Sequence, residues 1–233
     1  MHDQRCLHDC LCLAVGKLPE QALERILDVA IQFAWGLAYA HEHGVLHRDI
    51  KPDNVMLKPE PSEGLPFRPV LMDLGLAKLA ESGAMTVEGT AMGTPAYMAP
   101  EQALGEATDA RSDVYSVGIL LYEMLAGKLP FPINTLAEAI RYHTRQAPPP
   151  LRSIRPEVPE AVERVVMTAL AKDPAARYAD ASALAGAVTE VLDALPQPTL
   201  APRGRQGTVV TPPPRSEEHT SELQSQFHLV CRL

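Results

Sequence analysis

His47-Arg48-Asp49-Ile50-Lys51-Pro52-Asp53-Asn54 puts a carboxylate, a cation and a primary amide into one short loop. Read singly these residues are ordinary turn formers, since Asp, Asn and Pro all suit tight backbone. Read together they offer a proton acceptor, a charge to neutralise a phosphate and an oxygen ligand for a hard cation, which is the set that phosphoryl transfer needs. The loop lies between a helical and a β pattern. Upstream, from Pro19 to His41, Leu23, Ile26, Leu27, Ala30, Ile31, Ala34, Leu37 and Ala38 recur at three- and four-residue steps, with Gly44 just beyond, so a long amphipathic helix is expected there. Downstream, residues 54–57 and 70–72 read as the arms of a small hairpin, separated by a turn-rich stretch with four Pro.

Further out, residues 73–111 carry Gly, Thr, Ser and Pro without sustained periodicity, too long a connection to be idle. Helical spacing returns over 113–126, 134–145, 159–171 and 180–194. The body is therefore expected to be mostly α. Beyond Leu195 the composition changes: residues 196–214 hold six Pro and read as an extended, disordered linker.

The whole-chain figures limit the function classes. With 233 residues the chain is bounded to one domain or a domain plus appendages, and 46% hydrophobic residues suffice for a core. A net charge of −8 argues against nucleic acid or an anionic membrane surface as the main partner. No apolar run approaches membrane-spanning length and no secretory signal opens the chain, so a cytoplasmic location is expected. Cys6, Cys10 and Cys12 lie near His2 and His8, but no second ligand pair follows to complete a tetrahedral metal site.

Five motifs then fall in one order. The His47–Asn54 loop is followed by Asp73-Leu74-Gly75, by Gly93-Thr94-Pro95-Ala96-Tyr97-Met98-Ala99-Pro100-Glu101, by Asp113 at a helix start, and by Lys172-Asp173-Pro174-Ala175-Ala176-Arg177-Tyr178. In that order they resemble the eukaryotic-type protein kinase family, in its bacterial serine/threonine branch, over about residues 20–195. The resemblance implies an α+β fold, with a helical C-terminal lobe over 19–195 and a small hairpin at the catalytic loop. It also implies ATP and Mg²⁺ as cofactors and proteins with Ser or Thr acceptors as partners.

Residue by residue, the resemblance makes Asp49 the acceptor of the substrate hydroxyl proton and Lys51 the cation presented to the γ-phosphate. Thr94 would brace those two and shape the acceptor floor. Asn54 and Asp73 would hold Mg²⁺ beside Gly75, in a metal-binding triplet where Leu74 replaces the usual Phe. Arg48 would pair with a phosphate on the activation segment, with Thr86 or Thr90 as the modified residue. His47, Glu101, Asp113 and Arg177 would be structural: a packed imidazole, a buried ion pair between Glu101 and Arg177, and a carboxylate receiving backbone N–H groups from the catalytic loop.

The family's N-terminal lobe, with its Gly-rich loop, strand Lys and partner Glu, has no counterpart in these 233 residues. Residues 1–18 stay an unassigned leader. The expectation is a C-lobe fragment whose parent gene encodes a kinase and which is inactive by itself. A non-catalytic pseudokinase-like binding module is an alternative, since the strand Lys is out of view. A small-molecule phosphotransferase is a weaker one, because that class lacks the segment ending Ala99-Pro100-Glu101. Residues 215–233 resemble a translated sequencing-adapter oligonucleotide and are expected to be an artefactual, disordered tail.

Overall fold

The computed structural model describes residues 5–6, 20–59, 67–73 and 95–195. Its elements in order are β1 (Arg5–Cys6), α1 (Glu20–Glu42), β2 (Val55–Pro59), β3 (Phe67–Leu71), α2 (Pro100–Leu104), α3 (Ala110–Ala126), α4 (Leu136–Arg145), α5 (Leu151–Ile154), α6 (Glu160–Ala169) and α7 (Ala181–Ala194). Short 3-10 turns cover Pro52–Asn54, Pro95–Tyr97 and Pro174–Ala176.

Helix α3 is the axis of the molecule. It is apolar on nearly every side, and fourteen of its residues from Ser112 to Ala126 are buried, the pattern of a helix enclosed by others rather than lying on a surface. Asp109 caps its start by accepting from the Arg111 N–H, and Gly127, at φ 72°, lets the chain turn away at its end. Helices α1, α6 and α7 pack against it. The approach to α6 is close because position 118 is Gly: a Cβ there would lie 3.0 Å from Ala169 Cβ and 3.0 Å from Leu170 Cδ2.

Of the expected stripe of α1, Leu23, Leu27, Ala30, Ala34, Leu37 and Ala38 are buried in the core, and Ile26 and Ile31 are partly buried against it. Each buried Leu of this kind contributes about 1.5–3 kcal/mol. Glu20 starts the helix immediately after Pro19, and Gly44 at φ 72° follows its end, where the Val45 N–H donates to Ala40 O.

The sheet is antiparallel in the order β1-β2-β3, with Val55 opposite Leu71 and Leu57 opposite Pro69. Pro69 is accommodated because β3 is an edge strand, where a missing N–H need not break a ladder. The expected hairpin thus gains a third strand, in which Arg5 faces Leu57 and Cys6 faces Met56. This strand lies within the leader left unassigned from sequence, since two residues carry no periodic signal. Helices α2 and α5, of five and four residues, were also invisible to periodicity for the same reason.

Candidate active site

The site is built on a backbone reversal. Arg48 sits in the left-handed region at φ 65°, a conformation costing an ordinary residue about 1–2 kcal/mol. The reversal aims two successive amides at one carboxylate: His47 N–H donates to Asp113 Oδ2 at 2.8 Å and Arg48 N–H to Asp113 Oδ1 at 2.8 Å. Hydrogen bonds to an ionised acceptor are about twice as strong as neutral ones, which offsets the strain. Asp113 is in the first turn of α3 and is 1% exposed. His41, from the last turn of α1, places its Nε2 2.8 Å from the same Oδ2.

His47 is buried and joins this loop to the strand end. The Met72 carbonyl, 3.0 Å away, can only accept, so Nε2 carries the proton and Nδ1 receives the Asp49 N–H at 3.3 Å. Burial lowers its pKa against the opposing pull of Asp113, consistent with a neutral scaffold ring rather than a proton carrier.

The reactive side chains face outward from this frame. Lys51 Nζ lies 2.8 Å from Asp49 Oδ2, and Asn54 Nδ2 donates to the same oxygen at 2.9 Å and to the Asp49 carbonyl at 2.7 Å. Because a carboxylate repels an amide oxygen, the Asn54 amide has one orientation, and its carbonyl oxygen points away from Asp49. The Asp49 side chain is 39% exposed. Asp73 is exposed and also left-handed, at φ 59°. Its neighbour Met72 donates its N–H to Asn54 O at 2.9 Å, so the β2–β3 ladder carries Asp73 to the end of the strand beside Asn54. The oxygens of Asn54 and Asp73 are hard donors, matched to Mg²⁺ rather than to a thiolate- or imidazole-seeking metal.

A second polar assembly lies deeper. Arg177 makes five hydrogen bonds: to Glu101 Oε1 and Oε2 at 2.8 and 2.9 Å, and to the carbonyls of Arg111, Ala171 and Lys172 at 2.9, 2.8 and 3.1 Å. That matches the five N–H donors of a guanidinium. Ser112 Oγ donates to Glu101 Oε1 at 2.6 Å. Burial pushes the Glu101 carboxyl upward, but the bonds from Arg177 and Ser112 outweigh it and hold the group below the usual carboxylate range.

Two connecting residues had not been singled out from sequence. Gln102 accepts the Ala99 N–H at 2.9 Å and donates to Arg48 O at 2.8 Å, tying the start of α2 to the catalytic loop. Tyr97 donates its hydroxyl to Glu123 at 2.6 Å, fastening the 3-10 turn to α3. Neither link has a sequence signature, because each joins residues more than twenty positions apart. Of the residues expected at the site, Asp49, Lys51 and Asn54 are in mutual contact, and Arg48, His47 and Asp113 form the frame beneath them. Glu101 and Arg177 pair as a unit apart from them. Thr94, Gly75, Leu74, Thr86 and Thr90 lie outside the described residues.

The family model for the protein kinase domain matches residues 4–189. The chain belongs to that family. Serine/threonine-protein kinase Pkn1 of Myxococcus xanthus is 42% identical over 168 residues, covering 72% of this chain and 24% of that protein. Serine/threonine-protein kinase PknA of Mycobacterium tuberculosis is 37% identical over 170 residues, covering 73% of this chain and 37% of that one. The chain thus spans about a quarter to just over a third of the curated relatives it matches. Among solved structures, the PknI kinase domain of Mycobacterium tuberculosis superposes with a TM-score of 0.60 at 25% identity, over 82% of this chain and 63% of that one. The family match begins at residue 4, inside the stretch left unassigned from sequence. Among the described residues no helix is long and apolar enough to cross a membrane.

Proposed function

We propose that this chain is the catalytic-loop and acceptor-binding portion of a bacterial serine/threonine protein kinase. The observation that carries the reading is the convergence of Lys51 Nζ and Asn54 Nδ2 on one oxygen of Asp49, at 2.8 and 2.9 Å. Held between an ammonium and an amide, Asp49 has a fixed orientation, ready to accept the proton of a Ser or Thr hydroxyl as that oxygen attacks. Lys51, on the same side, neutralises charge on the phosphoryl group in transfer. Thr94 braces both and shapes the acceptor floor. Asn54, through the amide oxygen turned away from Asp49, and Asp73 would hold Mg²⁺, with Gly75 completing the metal-binding triplet in sequence. The bound metal supplies charge neutralisation across the ATP phosphates. Arg48 pairs with a phosphate on Thr86 or Thr90 to order the activation segment.

The 233 residues contain no Gly-rich loop and no strand Lys for the α- and β-phosphates, so by itself this chain is expected to transfer no phosphate. Radiolabelled ATP with Mg²⁺ and Ser, Thr or Tyr peptides tests both parts. The chain alone should show no transfer above an Asp49→Ala control. Fused behind the N-terminal lobe of a relative such as Pkn1, it should label Ser or Thr peptides, and Asp49→Ala should reduce labelling by about 100-fold or more. Turnover by the fused chain that survives Asp49→Ala, or labelling confined to Tyr, overturns the reading.

A further inference from the structure

Behind the acceptor-side turn, at Pro95–Tyr97, lies a polar chain that the proposed chemistry does not use. His143, in α4, is 0% exposed. Its Nε2 lies 3.2 Å from Pro95 O and its Nδ1 2.9 Å from the Tyr115 hydroxyl. Tyr115, in α3, is also 0% exposed, and Lys172 Nζ donates to its oxygen at 3.0 Å.

The direction of every bond follows from chemistry. A carbonyl oxygen only accepts, so His143 carries its proton on Nε2 and donates it to Pro95. Nδ1 is then an acceptor and takes the Tyr115 O–H. The Tyr115 oxygen, its own O–H directed at Nδ1, accepts a hydrogen bond from the Lys172 ammonium. A cationic His143 has no place in this arrangement: its Nδ1–H would oppose the Tyr115 O–H, and Lys172 lies one residue further along the chain. Burial first, and the Lys172 charge second, lower the His143 pKa to about 4. Aromatic walls hold the imidazole plane, with Phe131 at 88° and Tyr115 at 79°, both 5.6 Å between centroids. Lys172 in turn sits over the Phe131 ring at 4.8 Å and donates to Tyr142 O at 3.4 Å, and Arg177 stacks over Tyr115 at 4.8 Å.

The chain ends on a backbone atom of the residue that follows Thr94. Proline has no N–H of its own, and its carbonyl opens the 3-10 turn by accepting from Met98 N–H. Tyr97, at the other end of that turn, is fastened to Glu123. The turn is therefore gripped at both ends, at its entry by His143 and at its exit by Glu123.

We propose that His143 is a positioning residue of the acceptor-binding loop: acting through Pro95 O, with Tyr115 and Lys172 fixing its tautomer, it sets where the Pro95–Tyr97 turn lies. The assignment of that loop rests on the kinase reading above. The positioning itself is tested without phosphate transfer, so the two fail separately.

In the unmodified 233-residue chain, ¹⁵N-histidine spectra should show His143 as the neutral Nε2–H form, still uncharged at about pH 6, where a free imidazole is mostly charged. His143→Phe, which keeps the volume and removes both bonds, should speed amide exchange at Ala96, Tyr97 and Met98 about tenfold, the equivalent of one lost hydrogen bond. Exchange in the middle of α3 should stay within about twofold. His143→Gln, whose amide supplies a donor and an acceptor, should restore protection. Should the Phe variant fail to fold, the tautomer and the Gln variant still decide. In the lobe fusion, the Phe variant should raise KM for a Ser peptide about tenfold with KM for ATP unchanged. An Nδ1–H or cationic ring at neutral pH, unchanged exchange at Ala96–Met98, or acceleration spread equally through α3 would overturn the proposal, the last by showing a plain core-packing role.

Discussion

The catalytic-loop cluster and the Glu101–Arg177 assembly use similar chemistry to opposite ends. Both bring a carboxylate against a cation at 2.8 Å, yet the Asp49 side chain is 39% exposed and that of Arg177 is 0%. In the deep assembly every guanidinium N–H has an acceptor, so nothing is left over for a ligand. In the shallow one, the Asp49 side chain is open to solvent with Asn54 buried beside it, and the backbone beneath them is strained at Arg48 and Asp73. Burial with full pairing makes a fastening, whereas partial exposure over a strained, well-anchored loop makes a place for chemistry.

That contrast is open to direct attack. The largest effect should come from Arg177→Met, which strands Glu101 in the interior; a loss of about 3–5 kcal/mol is expected in urea unfolding. A loss comparable to that of a surface pair would erase the distinction between the two regions.

Acid should act next. His143 has its pKa lowered from 6.5 to about 4 in the folded chain, so below pH 6.5 the unfolded chain takes a proton that the folded one refuses. Stability is therefore full above that pH and falls as pH drops toward 4, by about 3 kcal/mol from this residue. Glu101, held low by its partners, adds a loss in the same direction at more acid pH. Lys172, lowered from 10.5 to about 8 by burial and by Arg177, works at the alkaline end, where stability should rise as pH climbs from 8 toward 10.5. Urea midpoints across pH check all three, and His143→Gln should flatten the first slope.

Tyr97→Phe removes one hydroxyl donor to Glu123 and should cost about 1.5–3 kcal/mol, read by thermal unfolding. Smallest in stability is Asp49→Asn, at or under about 1 kcal/mol because the Asp49 side chain is itself well exposed to solvent. The same change should abolish transfer in the lobe fusion. A destabilisation as large as that of Arg177→Met would place Asp49 among the fastenings.

Much of this could be read from the chain before its coordinates. The helical spacings of α1, α3, α4, α6 and α7 are periodic, with side-chain N-caps at Asp109, Thr135 and Asp180 for α3, α4 and α7, and the structure places all five helices within a few residues of the expected limits. The contact among Asp49, Lys51 and Asn54 was readable because it is local. What escaped was short or remote. Strand β1 has two residues, and the ties from Gln102 to Arg48 and from His143 to Pro95 span 54 and 48 positions. No spacing rule reaches that far: such pairs become neighbours only once helices have packed.

The bare α-carbon at Gly118 has a reach beyond its own contact. With no methyl to hold them apart, α3 and α6 settle together at a depth that an alanine would change, since its Cβ would press on Ala169 and Leu170. Helix α3 carries Asp113 in its first turn, five residues before that contact, so the level at which the rod beds down also sets the height of the shelf on which the catalytic loop hangs. A single added carbon, buried far from any substrate, would be felt first as a loop out of alignment.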